Sequence, residues 1–113
     1  MDLQSEALPD CLLIRVNEAR IDAAVAIQFK DRMRDLTDGG GDCVLLDLSQ
    51  VMFLDSSGLG AVVAVMKYLG SNRRLELACL TPSVEKVFRL TRMDAIFTIH
   101  TELPGAVSLS RAG

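Results

Sequence analysis

The sequence has no tryptophan, only one tyrosine, and aromatic side chains at just 4% of its 113 residues. Basic residues are also few: 12 lysines and arginines against 15 acidic residues give a net charge of −3. Nucleic-acid binding depends on clustered lysine and arginine, which neutralise phosphates. We therefore expect no nucleic-acid partner.

Long apolar runs are absent as well. The longest nearly apolar run, 58–66, is far short of the roughly 20 residues that a membrane-spanning helix needs. The first ten residues, MDLQSEALPD, lack the basic start and apolar stretch of a secretory signal. These absences predict a soluble, cytoplasmic protein that does not insert into a membrane.

Cysteine is scarce, and the cysteines present are far apart. Cys11, Cys43 and Cys79 show neither a CxxC pair nor the Cys–His spacing of structural zinc sites, so we expect no metal and no cofactor. Each lies beside an apolar run, where a free thiol packs like a small apolar residue. We predict three free core thiols, which also suits a reducing compartment.

Half of the residues are apolar and about a quarter are charged, the balance of a folded protein, and the length fits one domain over 1–113. Strand-like and helix-like segments alternate, which predicts an α/β fold. The predicted strands are 3–8 and 11–16, joined as a hairpin, then 43–48, 75–80 and 95–100. The predicted helices begin near 22, 57 and 82, with a further one at 103–111.

Residue patterns locate the helix ends. Asp22 is a natural N-cap for the first helix, in which Phe29 and Met33 share an apolar stripe and Ile27 lies outside it. The Gly-rich run 38–42 follows a helix and precedes a strand. Phosphate-binding loops have the reverse order, so this run is predicted to be a turn.

The loop FLDSSGLG, residues 53–60, holds the candidate site. Asp55, Ser56 and Ser57 fall at the predicted N-terminus of a helix, where aspartate and serine are common caps. One capping residue suffices, however, and three occur. The helix behind them is apolar on nearly every side, so Gly60, Ala61 and Ala64 are predicted to form a smooth surface that accepts another protein.

Three segments resemble the STAS domain family, specifically bacterial anti-sigma factor antagonists. DLSQVMFLDSSGLGAVVAVMKYLG (47–70) is similar to the family's signature, with D-S-S-G-L as its most specific part. PSVEKVFRLTRMDAIFTIH (82–100) is similar to the family's helix, LTxLDxLF motif and strand. ARIDAAVAIQFKDRM (19–33) occupies the place of the GELD strand end and first helix.

The resemblance implies a single STAS domain with a central mixed sheet of about five strands and about four helices. It implies a regulator and not an enzyme: a partner that is both anti-sigma factor and serine kinase phosphorylates the second serine of D-S-S-G, here Ser57. The unphosphorylated form binds that partner and releases the sigma factor, the phosphorylated form lets go, and a phosphatase resets the cycle.

The resemblance also assigns roles near Ser57. Asp55 and Ser56 would support the phosphorylation site, and Asp22 resembles an aspartate that the family places there, although capping accounts for Asp22 equally well. We expect the partner to contact Gly58, Gly60, Ala61, Ala64 and Ile27. Two positions depart from the family: Ala19–Arg20 replaces Gly-Glu of GELD, and Arg92 replaces the glycine of LTGLD.

Two other functions are open on the sequence. The same fold serves as an accessory subunit of membrane transport complexes of the ABC type, without phosphorylation, although threonine is typical of the motif there. An enzyme would need Asp47 and Asp55 in one acidic pocket, or Ser57 with His100 and an aspartate as a triad. The paired acids of receiver domains and the G-x-S-x-G elbow are both missing, which disfavours catalysis.

Overall fold

The computed structural model describes residues 1–39 and 41–103. Its strands are β1 (Leu3–Ala7), β2 (Leu12–Val16), β3 (Arg20–Ile21), β4 (Cys43–Asp47), β5 (Phe53–Leu54), β6 (Arg74–Ala78) and β7 (Ile99–His100). Its helices are α1 (Ala26–Thr37), α2 (Ser56–Leu69) and α3 (Pro82–Leu90), followed by a 3₁₀ turn at Met93–Ala95.

Five strands form one mixed sheet in the order β1-β2-β4-β6-β7. The β1–β2 hairpin is antiparallel, and the other neighbours are parallel, which is the arrangement that β/α crossovers produce. The predicted α/β fold, N-terminal hairpin and mixed sheet are confirmed. Within the described ranges there are three α-helices, one fewer than predicted. The predicted helix at 103–111 lies, apart from Leu103, outside them.

The main core fills the space between the sheet and the helices. Strand β4 is buried along its whole length, as its nearly continuous apolar sequence predicts for a central parallel strand. The largest fully buried side chains of this core include Phe29 and Met33 of α1 and Phe88 of α3. The opposite face of the sheet carries a smaller cluster of Leu13, Leu45 and Ala78. The helices therefore cover one face, and their loops meet at one end of the sheet.

Asp22 does not cap α1, and that prediction is wrong. The helix begins at Ala26, and Asp22 instead closes a turn in which its carboxylate accepts a hydrogen bond from the Ala24 amide at 3.1 Å. The Ala23 amide donates to the side chain of Asp55 at 3.1 Å. This contact, 32 residues away in sequence, holds 22–24 outside the helix. A local pattern cannot reveal it.

The last strand is shorter than predicted. Only Ile99 and His100 pair with β6, because the chain first forms the 3₁₀ turn and the Phe97 amide donates to the Met93 carbonyl at 3.2 Å. Phe97 then packs edge-on against Phe88, with ring centroids 5.8 Å apart. Packing of this aromatic pair thus takes the place of strand pairing at 95–97, and hydrogen bonding to β6 starts where the Thr98 carbonyl accepts from the Leu77 amide at 2.9 Å.

The prediction of three free thiols is also wrong. Cys11 and Cys43 form a disulfide, with Cα atoms 4.7 Å apart, and Cys79 is the free cysteine. The parallel register sets Leu12 beside Val44, so the residues that precede them are neighbours. Register between distant strands determines the pairing, and spacing along the chain does not show it.

Arg92 has a left-handed backbone, with φ of 61° and ψ of 19°. A side chain in this conformation costs roughly 1 kcal/mol or more, and glycine avoids that cost. We expect Arg92→Gly to stabilise the domain by about 0.5 kcal/mol, a rise of a few degrees in Tm in thermal unfolding. Arg89→Gly, the same change inside α3, should instead destabilise it by about 1 kcal/mol. Equal losses from both variants would contradict this prediction.

Glu76 gives the domain a defined sensitivity to acid. Its carboxylate accepts hydrogen bonds from Nε2 of His100 at 2.8 Å and Nε of Arg74 at 3.1 Å. The bond from His100, followed by that from Arg74, lowers the pKa of Glu76 below its usual 4.5 although burial opposes the shift. A folded-state pKa below the unfolded value adds stability above pH 4.5 that is lost as pH falls through the lowered pKa.

We therefore expect Glu76→Gln to flatten the loss of stability on acidification below pH 4.5, measured by denaturant unfolding at a series of pH values. The matched control is Glu6→Gln on β1, since Glu6 is exposed and forms no salt bridge within the described part of the chain. Its pH dependence should follow that of the parent. The prediction fails if both variants retain the parent's slope.

Candidate functional site

The D-S-S-G segment joins β5 to α2 at the end of a small second sheet. Strand β5 pairs in parallel with β3, so that Arg20 lies beside Phe53 and Ile21 beside Leu54. Asp22 and Asp55 therefore follow directly after the ends of two paired strands. This pairing brings the loop after β3 to the N-terminus of α2.

Asp55 is the N-cap of α2. One carboxylate oxygen, Oδ1, accepts a hydrogen bond from the Gly58 amide at 2.8 Å. The other, Oδ2, accepts from the Ala23 amide at 3.1 Å. Asp55 thus caps the helix and also attaches it to the turn after β3, which uses both oxygens.

Ser56 and Ser57 are the first two residues of α2, and both are exposed. Among the residues that the structure describes, no hydrogen bond involves either hydroxyl. Their amides lie in the first turn, where a helix leaves N–H groups without intrahelical acceptors. A free hydroxyl and free amides at the positive end of the helix dipole provide an environment in which an added anion is stable.

Asp22 lies near this turn and is bonded within its own loop. Its Oδ1 accepts from the Ala24 amide, and its Oδ2 accepts from Nε of Arg20 at 3.2 Å. Its connection to the site runs through Ala23, which donates to Asp55. The geometry places Asp22 beside the serine turn as an acidic neighbour.

Gly58 allows the first turn of α2 to lie in close contact with the end of β3. A Cβ atom on Gly58 would lie 2.0 Å from the carbonyl oxygen of Ile21 and 2.8 Å from a side-chain carbon of Leu54. Gly58 is buried, and so is Ala61, which is only 3% exposed. Ala61 therefore lies in the interior and is not part of the predicted smooth surface, and Gly58, which was expected to contact the partner, is buried as well. Gly60 is exposed and Ala64 half-buried on the outer side of α2.

The comparison with known proteins identifies the family. The model of the STAS domain family matches residues 2–106, nearly the whole chain. The chain belongs to the STAS domain family. A 100-residue alignment with BtrV of Bordetella bronchiseptica, which is provisionally named an anti-sigma factor antagonist, is 29% identical and covers 88% of this chain and 86% of BtrV.

Solved structures share this fold. An anti-sigma factor antagonist from Mycobacterium paratuberculosis superposes with a TM-score of 0.82 at 23% identity, over 97% of this chain and 93% of that one. The murine anion transporter Slc26a9 contains a similar fold, with a TM-score of 0.72 at 16% identity over 96% of this chain and 19% of the transporter. The STAS fold is therefore shared by antagonists and by a part of a transporter.

In this STAS domain, two exposed apolar side chains that the sequence did not single out precede the serine turn. Met52 and Phe53 are exposed directly before it, and Ile27 of α1 is 69% exposed, as predicted. The guanidinium of Arg20 lies 4.2 Å from the centre of the Phe53 ring, a cation–π contact. Arg20, which departs from the family's motif, thus makes a defined contact in this structure. Pairing of β3 with β5 brings Arg20 and Phe53 together. Each of these strands has only two residues, which is too few to be recognised in the sequence.

Within the described residues, Asp47 and His100, which the catalytic alternatives would need, are hydrogen-bonded to other groups. The carboxylate of Asp47 accepts hydrogen bonds from Nε of Arg15 at 3.1 Å and from the Ser49 amide at 2.9 Å. Neither bond involves Asp55. His100 is bonded to Glu76. Over 1–39 and 41–103, no group of three or more His, Cys, Asp or Glu side chains is arranged to hold a metal ion. No helix in the same ranges is long and apolar enough to cross a membrane.

Proposed function

We propose that this STAS domain is an anti-sigma factor antagonist that is switched by phosphorylation of Ser57. In its unphosphorylated form it binds a cytoplasmic partner that is both anti-sigma factor and serine kinase, and thereby frees a sigma factor for transcription. Phosphorylation by the same partner ends the complex, and a phosphatase restores it. The domain is the substrate in this cycle and not the enzyme.

One observation carries this proposal: Asp55 caps α2, which leaves the Ser57 hydroxyl exposed and without a structural role. If Ser57 were the cap, its hydroxyl would accept from an amide of the first turn. The cap is instead Asp55, which accepts from the Gly58 amide, and the Ser57 hydroxyl makes no hydrogen bond within the described residues. A hydroxyl that the fold does not use is free to serve as a phosphate acceptor, as the resemblance of D-S-S-G to the family's signature suggests.

The electrostatics of the turn support a switch that leaves the fold unchanged. A phosphoserine adds roughly −1.5 to −2 charges at neutral pH. At the N-terminus of α2 the free amides and the helix dipole favour that charge within the domain. The surface changes much more, because a dianion then lies beside the carboxylates of Asp22 and Asp55. The exposed or half-buried residues on α2, on α1 and directly before the turn are Gly60, Ala64, Ile27, Met52 and Phe53, which we call the apolar face and place beside the phosphate in this proposal.

The apolar face is the proposed partner surface. Burying it in a complex removes water from the neighbouring phosphate, and burial of an unpaired charged group costs several kcal/mol. A loss of about 3 kcal/mol weakens binding more than a hundredfold. A local change of charge is therefore sufficient for release, without any change of conformation.

A second candidate function is an accessory role in a membrane transport complex. The likeness to part of a murine anion transporter supports it, since the same fold occurs there inside a transport protein. In that case the apolar face would dock on a transport component, and Ser57 would need no phosphate.

Affinity purification from the native cells separates the two functions. The baits are the parent protein and Ser57→Asp, with Ser56→Ala as a control at the neighbouring position, and bound proteins are identified by mass spectrometry. Recovery of a small serine kinase by the parent and the control, but not by Ser57→Asp, supports the antagonist. Equal recovery of a transport component by all three baits overturns it.

A further inference from the structure

The disulfide joins the first residues of two neighbouring strand regions. Cys11 directly precedes β2, and Cys43 is the first residue of β4. These residues are 32 positions apart in sequence, and the parallel register of β2 and β4 brings them together. Hydrogen bonds already hold this end of the sheet: the Leu8 amide donates to the Cys11 carbonyl at 2.8 Å, and the Arg74 amide donates to the Asp42 carbonyl at 2.7 Å. The disulfide therefore links strands that backbone hydrogen bonds already hold in place.

Solvent reaches this bond through a groove on the surface. The groove has a volume of about 480 Å³ and is lined by both cysteines, by the turn 7–10 and by Gly41 and Asp42. Cys11 is half-buried at its edge, whereas Cys43 is only 2% exposed. A small thiol can enter a groove of this size, and Cys11 is the more exposed of the two cysteines that line it.

The third cysteine, Cys79, differs from these two in its reactivity. Cys79 packs against the same cluster of Leu13, Leu45 and Ala78 as Cys11 does. Burial raises the pKa of the Cys79 thiol, and the negative charges of Asp47 and Glu102 raise it further. Because the thiolate is the reactive form, Cys79 stays protonated and inert at neutral pH. It is a free thiol that serves as an internal reference.

We propose that Cys11–Cys43 is a thiol–disulfide exchange site whose co-substrates are small thiols and their disulfides. A thiolate attacks Sγ of Cys11, the bond between the two cysteines breaks, and Sγ of Cys43 leaves as a thiolate that takes up a proton. A second thiolate attacks the mixed disulfide and releases Cys11. Two small thiols are oxidised to one disulfide, and the protein disulfide is reduced to two thiols.

The exchange alters the stability of the domain and leaves the serine turn as it is. Cys43 begins β4, whereas Asp55 and Ser57 follow β5, so the two sites lie in different loops. A cross-link between residues 32 apart restricts the unfolded chain, so its reduction favours unfolding. We expect Tm to fall by about 10 to 20 °C on reduction. This inference does not depend on the proposed function.

The test uses the full 113-residue chain equilibrated in buffers of stepwise glutathione-to-glutathione-disulfide ratio. Each sample is denatured in iodoacetamide, and carbamidomethylated cysteines are counted by intact mass and located by peptide mapping. The Tm of each sample is measured in parallel. Cys79→Ser is analysed alongside, together with a Cys11→Ser, Cys43→Ser double variant as the reference for a domain without the bond.

The expected result is one label, on Cys79, under oxidising buffer and three labels under reducing buffer. Cys11 and Cys43 should gain theirs together, Tm should fall with them, and the double variant should show one Tm at every ratio. Three labels in oxidising buffer, a bond that includes Cys79, or a bond that persists at every ratio until the domain unfolds would each overturn the proposal.

Discussion

Ser57→Asp should lower the affinity for the kinase partner more than a hundredfold, while Ser57→Ala should bind as tightly as the parent. The aspartate places a charge that cannot be removed at the second residue of α2, next to the apolar face that the complex buries. A loss of about 3 kcal/mol follows from leaving such a group unpaired in an interface. Alanine removes only a hydroxyl, which makes no hydrogen bond within the described residues.

The measurement is titration calorimetry of the purified partner with each variant, without and then with ATP. With ATP the parent should lose binding as Ser57 becomes phosphorylated, and Ser57→Ala should keep it, which makes alanine a permanently binding form. Ser56→Asp is the matched control, because it places the same charge one residue earlier on the same exposed turn. Comparable weakening by both aspartates would show a general effect of charge, and unchanged binding by all variants would remove Ser57 as the switch.

Ser57→Asp, Ser57→Ala and Ser56→Asp should each unfold within about 0.5 kcal/mol of the parent, since substitutions at exposed positions that are neither caps nor core residues usually do. This expectation follows from the position of the cap. A large loss of stability in Ser57→Ala would mean that the hydroxyl supports the helix after all. Unfolding curves can therefore distinguish a switch residue from a capping residue before the partner protein has been purified.

Local patterns predict much of this fold because local physics determines it. The nearly continuous apolar run 43–48 is typical of a buried parallel strand, and Gly70, with φ of 77°, ends α2 where the sequence changes from apolar to turn residues. The capping chemistry of Asp55 is local too, since it acts on an amide three residues away. Each of these features involves residues that are close together along the chain, so a short stretch of sequence contains both interacting groups.

What the sequence does not reveal depends on contacts between distant residues. The turn of Asp22 depends on Asp55, the disulfide depends on the β2–β4 register, and the Arg20–Phe53 contact depends on two strands of two residues each. The candidate site combines both kinds of feature. Its serines and its acidic neighbours were named from motifs, and so were Gly60, Ala64 and Ile27. Exposed Met52 and Phe53, and the hydrogen bond from Ala23 to Asp55, required the fold. The uniform apolar character of α2 was misleading, because Ala61 belongs to the core side of the helix.

Gly58→Ala should destabilise the domain by about 3 kcal/mol, whereas Gly60→Ala should stabilise it by roughly 0.5 to 1 kcal/mol. Both residues are glycines of the same helix, two positions apart. At Gly58 a methyl group would lie 2.0 Å from a backbone carbonyl oxygen, which cannot move without shifting β3. At Gly60 a methyl group meets nothing within 4 Å, so only the gain in helix propensity remains.

Thermal and denaturant unfolding of the two variants measure the difference, which should exceed 10 °C in Tm at roughly 4 to 8 °C per kcal/mol. Equal stabilities would mean that the first turn of α2 does not pack against the end of β3. The pair also separates packing from recognition. Gly58→Ala moves the serine turn away from the Asp22 loop, so it should weaken partner binding through the fold. Gly60→Ala keeps the fold and adds one methyl group to the apolar face, so any change in affinity there reports contact with the partner itself.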